Sequence, residues 1–417
     1  MKKLFTFCLA LCATTALWAN FTPAAFSVAE GKYVYFTKGN LQYTQSTQTW
    51  SFAENQYDML GTDNVTGGTT IFDAQYGYTK EGTALADKID MFGWSANNVT
   101  APWGLSTSTD NSDYSGDFVD WGKNIGDGWR TLTNKEWEYL LDTRANAQNL
   151  KGAARINLIE DGTQYVNGLI LLPDNWTEID GITFKSGFPS EIFNENVADY
   201  AAHQTFLISE WQMLEAAGAV FLPAVGSRSG ITVDNVQSIS RYWSASLNGM
   251  SAADCLYFSS SEAGVATSQR RNGLAVRLVQ DMYAVNVTEA TNGKVESDKT
   301  VAAAGETITL TITPETGYEV EKIAVTYGED QEVAVSADNT FTMPASAVTV
   351  TVTFKVASTA LQNVEMAEIY AENGTIYGVE GMQIFTITGQ NVTEMNGQLN
   401  GVYIVKCADK AQKIIVR

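Results

Sequence analysis

His203 is the only histidine among 417 residues, so a Ser–His–Asp or Cys–His relay would have to pass through it. It sits in Ala201-Ala202-His203-Gln204 with no nucleophile signature beside it, and an ordinary packing or surface histidine is the simpler reading. One histidine also puts a histidine-rich metal site out of reach of a single chain. Of the four cysteines, Cys8 and Cys12 fall in an apolar N-terminal segment, which leaves Cys255 and Cys407, far apart in the chain. One disulfide between them stays open, whereas a disulfide framework does not. Asp and Glu number 47 against 26 Lys and Arg, so an acid pair of the glycosidase kind is available in number. No pair is marked by its surroundings, and an acidic solvated surface accounts for the excess.

The stretch Asp110-Asn111-Ser112-Asp113-Tyr114 is rich in oxygen and could take calcium, although it lacks the central Gly and distal Glu of an EF-hand. Trp94, Trp103 and Trp121 flank it. An aromatic face beside carboxylates suits a sugar, whose C–H face packs on a ring while its hydroxyls need polar partners. The candidate ligand-binding residues are therefore Trp94, Trp103, Asp110, Asp113, Tyr114 and Trp121. The competing reading is that these tryptophans fill a core beneath a long loop. No catalytic residue stands out and no cofactor is called for, calcium being the one ion the stretch suggests. Arg228, Arg241, Arg270, Arg271 and Arg277 gather late and could hold a carboxylate or sulfate, or form internal ion pairs.

The elements that must position these residues begin after a segment unlike the rest. Lys2 and Lys3, the uncharged run Leu4–Leu17 and small Ala19 make a signal-peptide pattern over residues 1–19. Acylation at Cys12 is disfavoured by bulky Leu11 before it. The apolar run is shorter than the ~20 residues of a membrane span, and no later run is long enough, so the mature chain is expected to have no transmembrane span. A net charge of −21 and a pI near 4.4 argue against nucleic acid as a partner, which needs Lys and Arg to replace phosphate counterions.

The remainder is long enough for two to four domains. Tryptophan marks a boundary, since the ten Trp all lie at or before Trp243. Residues 20–281 read as a mixed α and β domain. Lys32–Phe36 and Asn40–Tyr43 suggest an opening hairpin continued by Trp50–Phe52. Thr133 with Glu136, and Ser209 with Gln212, are capping boxes that start helices, and Gly218 supplies a left-handed stop to the second. Each helix is followed by an apolar run ending in Leu-Pro, Gly168–Pro173 and Ala219–Pro223, which predicts buried strands. Further strands are expected at Tyr242–Ser246, Cys255–Ser259 and Leu274–Val279, and residues 95–128 carry no periodicity. Residues 282–356 alternate with period two, with strands at Thr307–Thr313, Lys322–Tyr327 and Val348–Phe354. Residues 357–417 predict short strands at Thr375–Tyr377, Gln383–Thr388, Gly401–Cys407 and Lys413–Val416, with a turn at Thr388-Gly389-Gln390. The fold class expected is thus an α+β first domain followed by two small all-β domains.

Three resemblances follow this division. Gly128-Trp129-Arg130-Thr131-Leu132-Thr133 with Glu136-Trp137, then Tyr242-Trp243-Ser244, then Gly273-Leu274-Ala275-Val276-Arg277-Leu278-Val279, resemble in order and spacing the C-type-lectin-like fold, in the branch shared with formylglycine-generating enzymes and bacterial surface proteins. The resemblance implies an architectural role for these residues. Of the paired cysteines that hold copper in the enzymes, only Cys255 is present, and the Glu-Pro-Asn and Trp-Asn-Asp segments and paired disulfides of calcium-dependent lectins are missing. Residues 282–356 resemble internalin-type B-repeats through Gly305-Glu306, Pro314, Gly317-Tyr318 and the Met343-Pro344 to Phe354 ending, which implies a stalk or spacer. Residues 357–417 resemble the sorting domain of the type IX secretion system through Ile384–Gln390, Gly401–Lys406 and Lys413–Arg417, which implies the type IX machinery as a partner and passage across an outer membrane.

Together these imply a secreted or outer-surface protein of a Gram-negative-type bacterium, a non-catalytic binding or adhesion protein whose ligand is a glycan or a protein on a surface. The alternatives are a divergent formylglycine-type oxidase or glycan-degrading enzyme, and a structural matrix or fimbria-like component.

Overall fold

Strand accounts for 49% and helix for 11% of the structure, a computed structural model. It describes residues 24–44, 47–61, 88–95, 117–188, 200–229, 232–329, 331–357, 369–378, 380–407 and 410–417. The segment read as a signal peptide lies outside them. Among the described residues no helix is long and apolar enough to cross a membrane. The contacts divide the chain into one unit of Met1–Glu315 with Val320–Phe354 and another of Thr316–Glu319 with Lys355–Arg417.

The first unit opens with β1 (Phe26–Ala29) and β2 (Lys32–Phe36), antiparallel and joined at Gly31 with φ 67°. Next come β3 (Leu41–Thr44), β4 (Thr49–Phe52) and β5 (Lys88–Ile89), and β3 pairs with β4 and β5. The opening hairpin is therefore β1–β2, not the expected pairing of Lys32–Phe36 with Asn40–Tyr43. The chain turns between them at Gly39, where a Cβ would lie 2.4 Å from the Ala53 carbonyl oxygen.

After β6 (Trp129–Thr131), Thr133 caps α1 (Asn134–Glu138), which runs on into a single π turn, Tyr139–Thr143. The Thr133 Oγ1 accepts the Glu136 N–H at 3.3 Å, and the Glu136 carboxylate accepts the Thr133 N–H at 2.8 Å. This is the expected capping box, and it turns Trp137, Leu140 and Leu141 into the core.

Strands β7 (Lys151–Asn157), β8 (Tyr165–Leu171), β9 (Thr205–Leu207) and β10 (Val220–Pro223) form one sheet in the order β10-β8-β7-β9, with α2 (Tyr200–His203) and α3 (Ile208–Ala216) between its later strands. The two Leu-Pro runs pair antiparallel, Val220 opposite Leu171 and Pro223 opposite Gly168, and both are buried throughout that span. Helix α3 starts earlier than the Ser209 cap expected, because the Glu210 carboxylate reaches back to the Leu207 N–H at 2.7 Å and closes the first turn there. It stops as expected at Gly218, φ 95°.

A two-stranded pair, β11 (Ser227–Ser229) and β12 (Thr232–Asp234), precedes the three-stranded sheet of β13 (Ser240–Asn248), β14 (Ala252–Phe258) and β15 (Ala263–Gln269). The strand expected at Leu274–Val279 splits. Leu274 bridges Phe92 and Ala275 bridges Tyr242 singly, and regular pairing begins only with β16 (Leu278–Val287).

The module that follows contains β17 (Gly293–Ser297), β18 (Val301–Ala303), β19 (Thr307–Pro314), β20 (Tyr318–Tyr327), β21 (Gln331–Val333), β22 (Thr340–Thr342) and β23 (Val348–Val356). Strand β16 belongs to both regions. Its first half pairs with β2 and β6, with Val279 opposite Phe36 and Leu278 opposite Thr131. Its second half pairs antiparallel with β18 and parallel with β23, with Val285 opposite Val348. Asp281 lies inside this strand. Arg130 bonds Asp281 at 2.7 Å and Glu136 at 2.8 Å, Tyr35 donates its hydroxyl to Gln280, and Tyr35, Met282 and Ala303 bury one another at the join.

In the second unit β24 (Tyr370–Glu372) and β25 (Thr375–Tyr377) make a hairpin, while β26 (Gln383–Thr386), β27 (Gly401–Cys407) and β28 (Lys410–Val416) make a sheet. Ile376, Ile384, Leu399, Val405 and Val416 form its core. Gly389 (φ 88°) donates its N–H to the Thr386 carbonyl at 2.9 Å, the turn expected after β26.

Candidate functional site

The structure brings together two of the residues singled out by sequence. Trp94 and Trp121 both pack on Phe118, at ring-centroid distances of 4.8 and 5.5 Å. They are 1% and 0% exposed, in a core shared with Trp243. Neither presents a ring face to solvent, so the expectation that they stack on a ligand is revised: their apolar area is spent on the core. Trp94 Nε1 donates to the Ser244 carbonyl at 2.9 Å and Trp243 Nε1 to that of Phe92 at 2.6 Å, which fastens the Phe92–Trp94 segment to β13. Trp103, Asp110, Asp113 and Tyr114 lie outside the described residues, and with them the calcium ligands considered.

The reactive side chains are committed elsewhere. Burial pushes the Cys255 thiol up to about 12, the nearby Arg241 opposing, so it stays protonated at neutral pH. His203 Nε2–H donates to the Lys185 carbonyl at 3.1 Å. Arg277, 1% exposed, donates to the carbonyls of Thr37, Lys38 and Phe221 at 3.0, 2.9 and 2.7 Å. Backbone carbonyls and the Tyr242 side chain meet it in place of the carboxylates expected of an ion pair, and burial lowers it to about 10. Arg270 reaches the Met250 carbonyl at 2.7 Å and lies over the Trp94 ring, and Arg241 lies over Tyr257. Among the described residues no group of three or more His, Cys, Asp or Glu is placed to hold a metal ion.

A concave site lies instead beside the chain that follows α1 and β8. It is an open groove of about 490 Å³, within the roughly 300–1,000 Å³ usual for small-molecule sites. Buried Leu150 and Leu172 line it together with half-buried Trp176, Ile182 and Phe184, which also pack on the main core. The exposed side chains that line it are Asn146, Asn149, Glu178 and Ser186.

Local structure fixes both walls. Asn146 takes the left-handed conformation at φ 58°, which asparagine tolerates better than most residues, and so starts the short 3-10 turn Ala147–Asn149. In the opposite wall Ile179 bridges Ile182 around Gly181, φ 80°. The end of that loop is held on β7: the Gly187 N–H meets the Lys151 carbonyl at 2.8 Å, and the Ala153 N–H meets that of Gly187 at 3.1 Å. Arg144, only 3% exposed, ties the walls together. It donates to the Leu150 carbonyl at 3.3 Å on one side and to Asp174 at 2.8 Å on the other, two residues before Trp176. Burial draws its guanidinium below the ordinary value and Asp174 opposes the shift, leaving a cation bound within the wall.

Sequence reasoning passed over this groove. Its one signal was an aromatic residue, Trp176, in the polar run Pro173-Asp174-Asn175-Trp176 directly after a buried strand. Nothing in the sequence placed Asn146 and Asn149 opposite it.

Residues 283–358 match the family model of a divergent InlB B-repeat domain. No curated protein and no solved structure matches the chain significantly. The part of the chain similar to a known family is thus the module that shares β16, while the groove lies in the region before it.

Proposed function

We propose that this is a secreted or surface-attached, non-catalytic binding protein. In this reading residues 20–281 form a C-type-lectin-like domain that takes a glycan or protein ligand, the B-repeat-like module is its spacer, and residues 357–417 are a type IX sorting domain. The observation that carries the proposal is the preformed groove: its walls are cross-braced by Arg144, so little ordering remains to oppose binding. The shared strand β16 supports it further, since a binding domain held on a spacer by continuous strand pairing can be presented at a fixed angle. The protonated, buried Cys255 speaks against the oxidase alternative.

The test is binding of the full chain to a glycan array and to surface protein extracts, with Trp176→Ala as the site control. Retention on at least one surface component, weakened by the substitution, is expected. Turnover of a substrate that is lost in Cys255→Ala would replace this reading with the enzyme.

A further inference from the structure

We infer that the groove between the Ala147–Asn149 turn and the Trp176–Ser186 loop is a saccharide site that selects neutral over acidic sugars. The inference rests on the binding-protein reading and names the ligand class of its site. A pyranose offers an apolar C–H face and a ring of hydroxyls that each donate and accept. Leu150, Leu172, Trp176 and Phe184 supply an apolar surface for the first. For the second, Asn146 and Asn149 carry amides that both donate and accept, the arrangement a hydroxyl pair needs.

Charge decides the class of sugar. Among the described residues no Lys, Arg or His lines the groove, and Glu178 does. The two buried cations next to it are already bound: Arg144 to Asp174, and Lys151 to Asp142 at 2.7 Å and to the Leu141 carbonyl. Lys185 stands between Phe184 and Ser186 in sequence but does not line the groove. Among the described lining residues a sulfate or uronate would find no countercharge, and a chain of net charge −21 adds repulsion at longer range. A peptide is a poorer occupant, because the described lining residues belong to turns and loops and present no strand edge for it to pair with.

The test is calorimetric titration of the full-length protein with neutral di- and trisaccharides of glucose, galactose, mannose and N-acetylglucosamine, and with matched sulfated and uronate-containing oligosaccharides. Saturable binding of at least one neutral sugar is expected, with the acidic forms weaker by about tenfold or more. Trp176→Ala should weaken binding about tenfold and Asn149→Ala about threefold. Because Trp176 also packs on the core, exposed Asn149 provides the variant whose thermal midpoint should stay unchanged. Neutral-sugar binding that survives both substitutions overturns the site while leaving a glycan-binding protein standing. Preference for the acidic sugars overturns the selectivity argument. If no saccharide binds but a surface protein does, and Trp176→Ala weakens it, the saccharide inference falls and the binding-protein reading survives.

Discussion

The region up to β16, read from sequence as a first domain, and the B-repeat-like module lie in one compact unit and share that strand, but are held together by different means. The first domain buries five tryptophans almost completely (Trp94, Trp121, Trp137, Trp211 and Trp243), together with Arg144, Lys151 and Arg277. The module's core is built from side chains such as Val285, Ile308, Leu310, Val325, Phe341, Val348 and Val350. Among the described residues every buried polar or charged side chain lies at or before Arg277. A buried cation is tolerable only where carbonyls or carboxylates from distant segments meet it, as Thr37, Lys38 and Phe221 meet Arg277. Stability in the first domain therefore depends on long-range polar closure. In the module it follows from alternating burial along strands, since apolar area leaves water with no directional requirement.

Tryptophan fluorescence reports on the first domain alone, because no Trp follows Trp243, and this makes the contrast measurable. The largest effect is expected from Trp243→Ala, which empties a fully buried site and removes one of the two hydrogen bonds to the Phe92 carbonyl, leaving that from the Leu274 N–H. It should cost about 5 kcal/mol in urea unfolding, enough to abolish the fluorescence transition, while circular dichroism retains strand signal from the module. Val348→Ala, opposite Val285 on β16, should cost about 2 kcal/mol. If the shared strand couples the regions, the fluorescence midpoint moves with it; a midpoint that stays put would show that β16 transmits nothing.

Arg130→Ala removes the guanidinium that joins Glu136 to Asp281 and should cost about 1–2 kcal/mol. It also tests a pH dependence. Burial alone would raise Glu136, but hydrogen bonds from Arg130 and the Thr133 N–H outweigh it and hold the carboxyl below its ordinary value of 4.5. With the folded value depressed, the stabilisation is complete above 4.5 and is lost as pH falls through the folded value. Arg130→Ala should flatten that acid decline in the fluorescence midpoint. The smallest effect belongs to Lys294→Ala: its pair with Glu296 is 70% and 57% exposed, and no more than ~0.5 kcal/mol is expected in thermal unfolding.

Much of the fold was legible because its signals are local. The Thr133–Glu136 box, the Gly218 stop, the Leu-Pro strands and the alternating module each depend on a few adjacent residues. Partnership was harder to read. Lys32–Phe36 pairs with β1 and β16 instead of the neighbour expected, because the turn at Gly39 against Ala53 sends the next strand away. The candidate site was the least legible part. Trp94 and Trp121 were open to two readings, ligand platform or core, and are core, while Trp176 looked like one tryptophan among ten but lines the groove.

By itself the sequence determined the strand-rich character, the helix caps and the alternating pattern of the module, since these depend on backbone preference and on periodicity over a few residues. Only the tertiary structure decided which tryptophans are buried and which pairs of distant loops close a groove. Only it, too, showed that Asp281 sits within a strand common to two regions. The physical reason is range: burial and hydrogen-bond closure depend on segments more than a hundred residues apart, as between Arg277 and the Thr37 carbonyl, and no local pattern encodes where such segments meet.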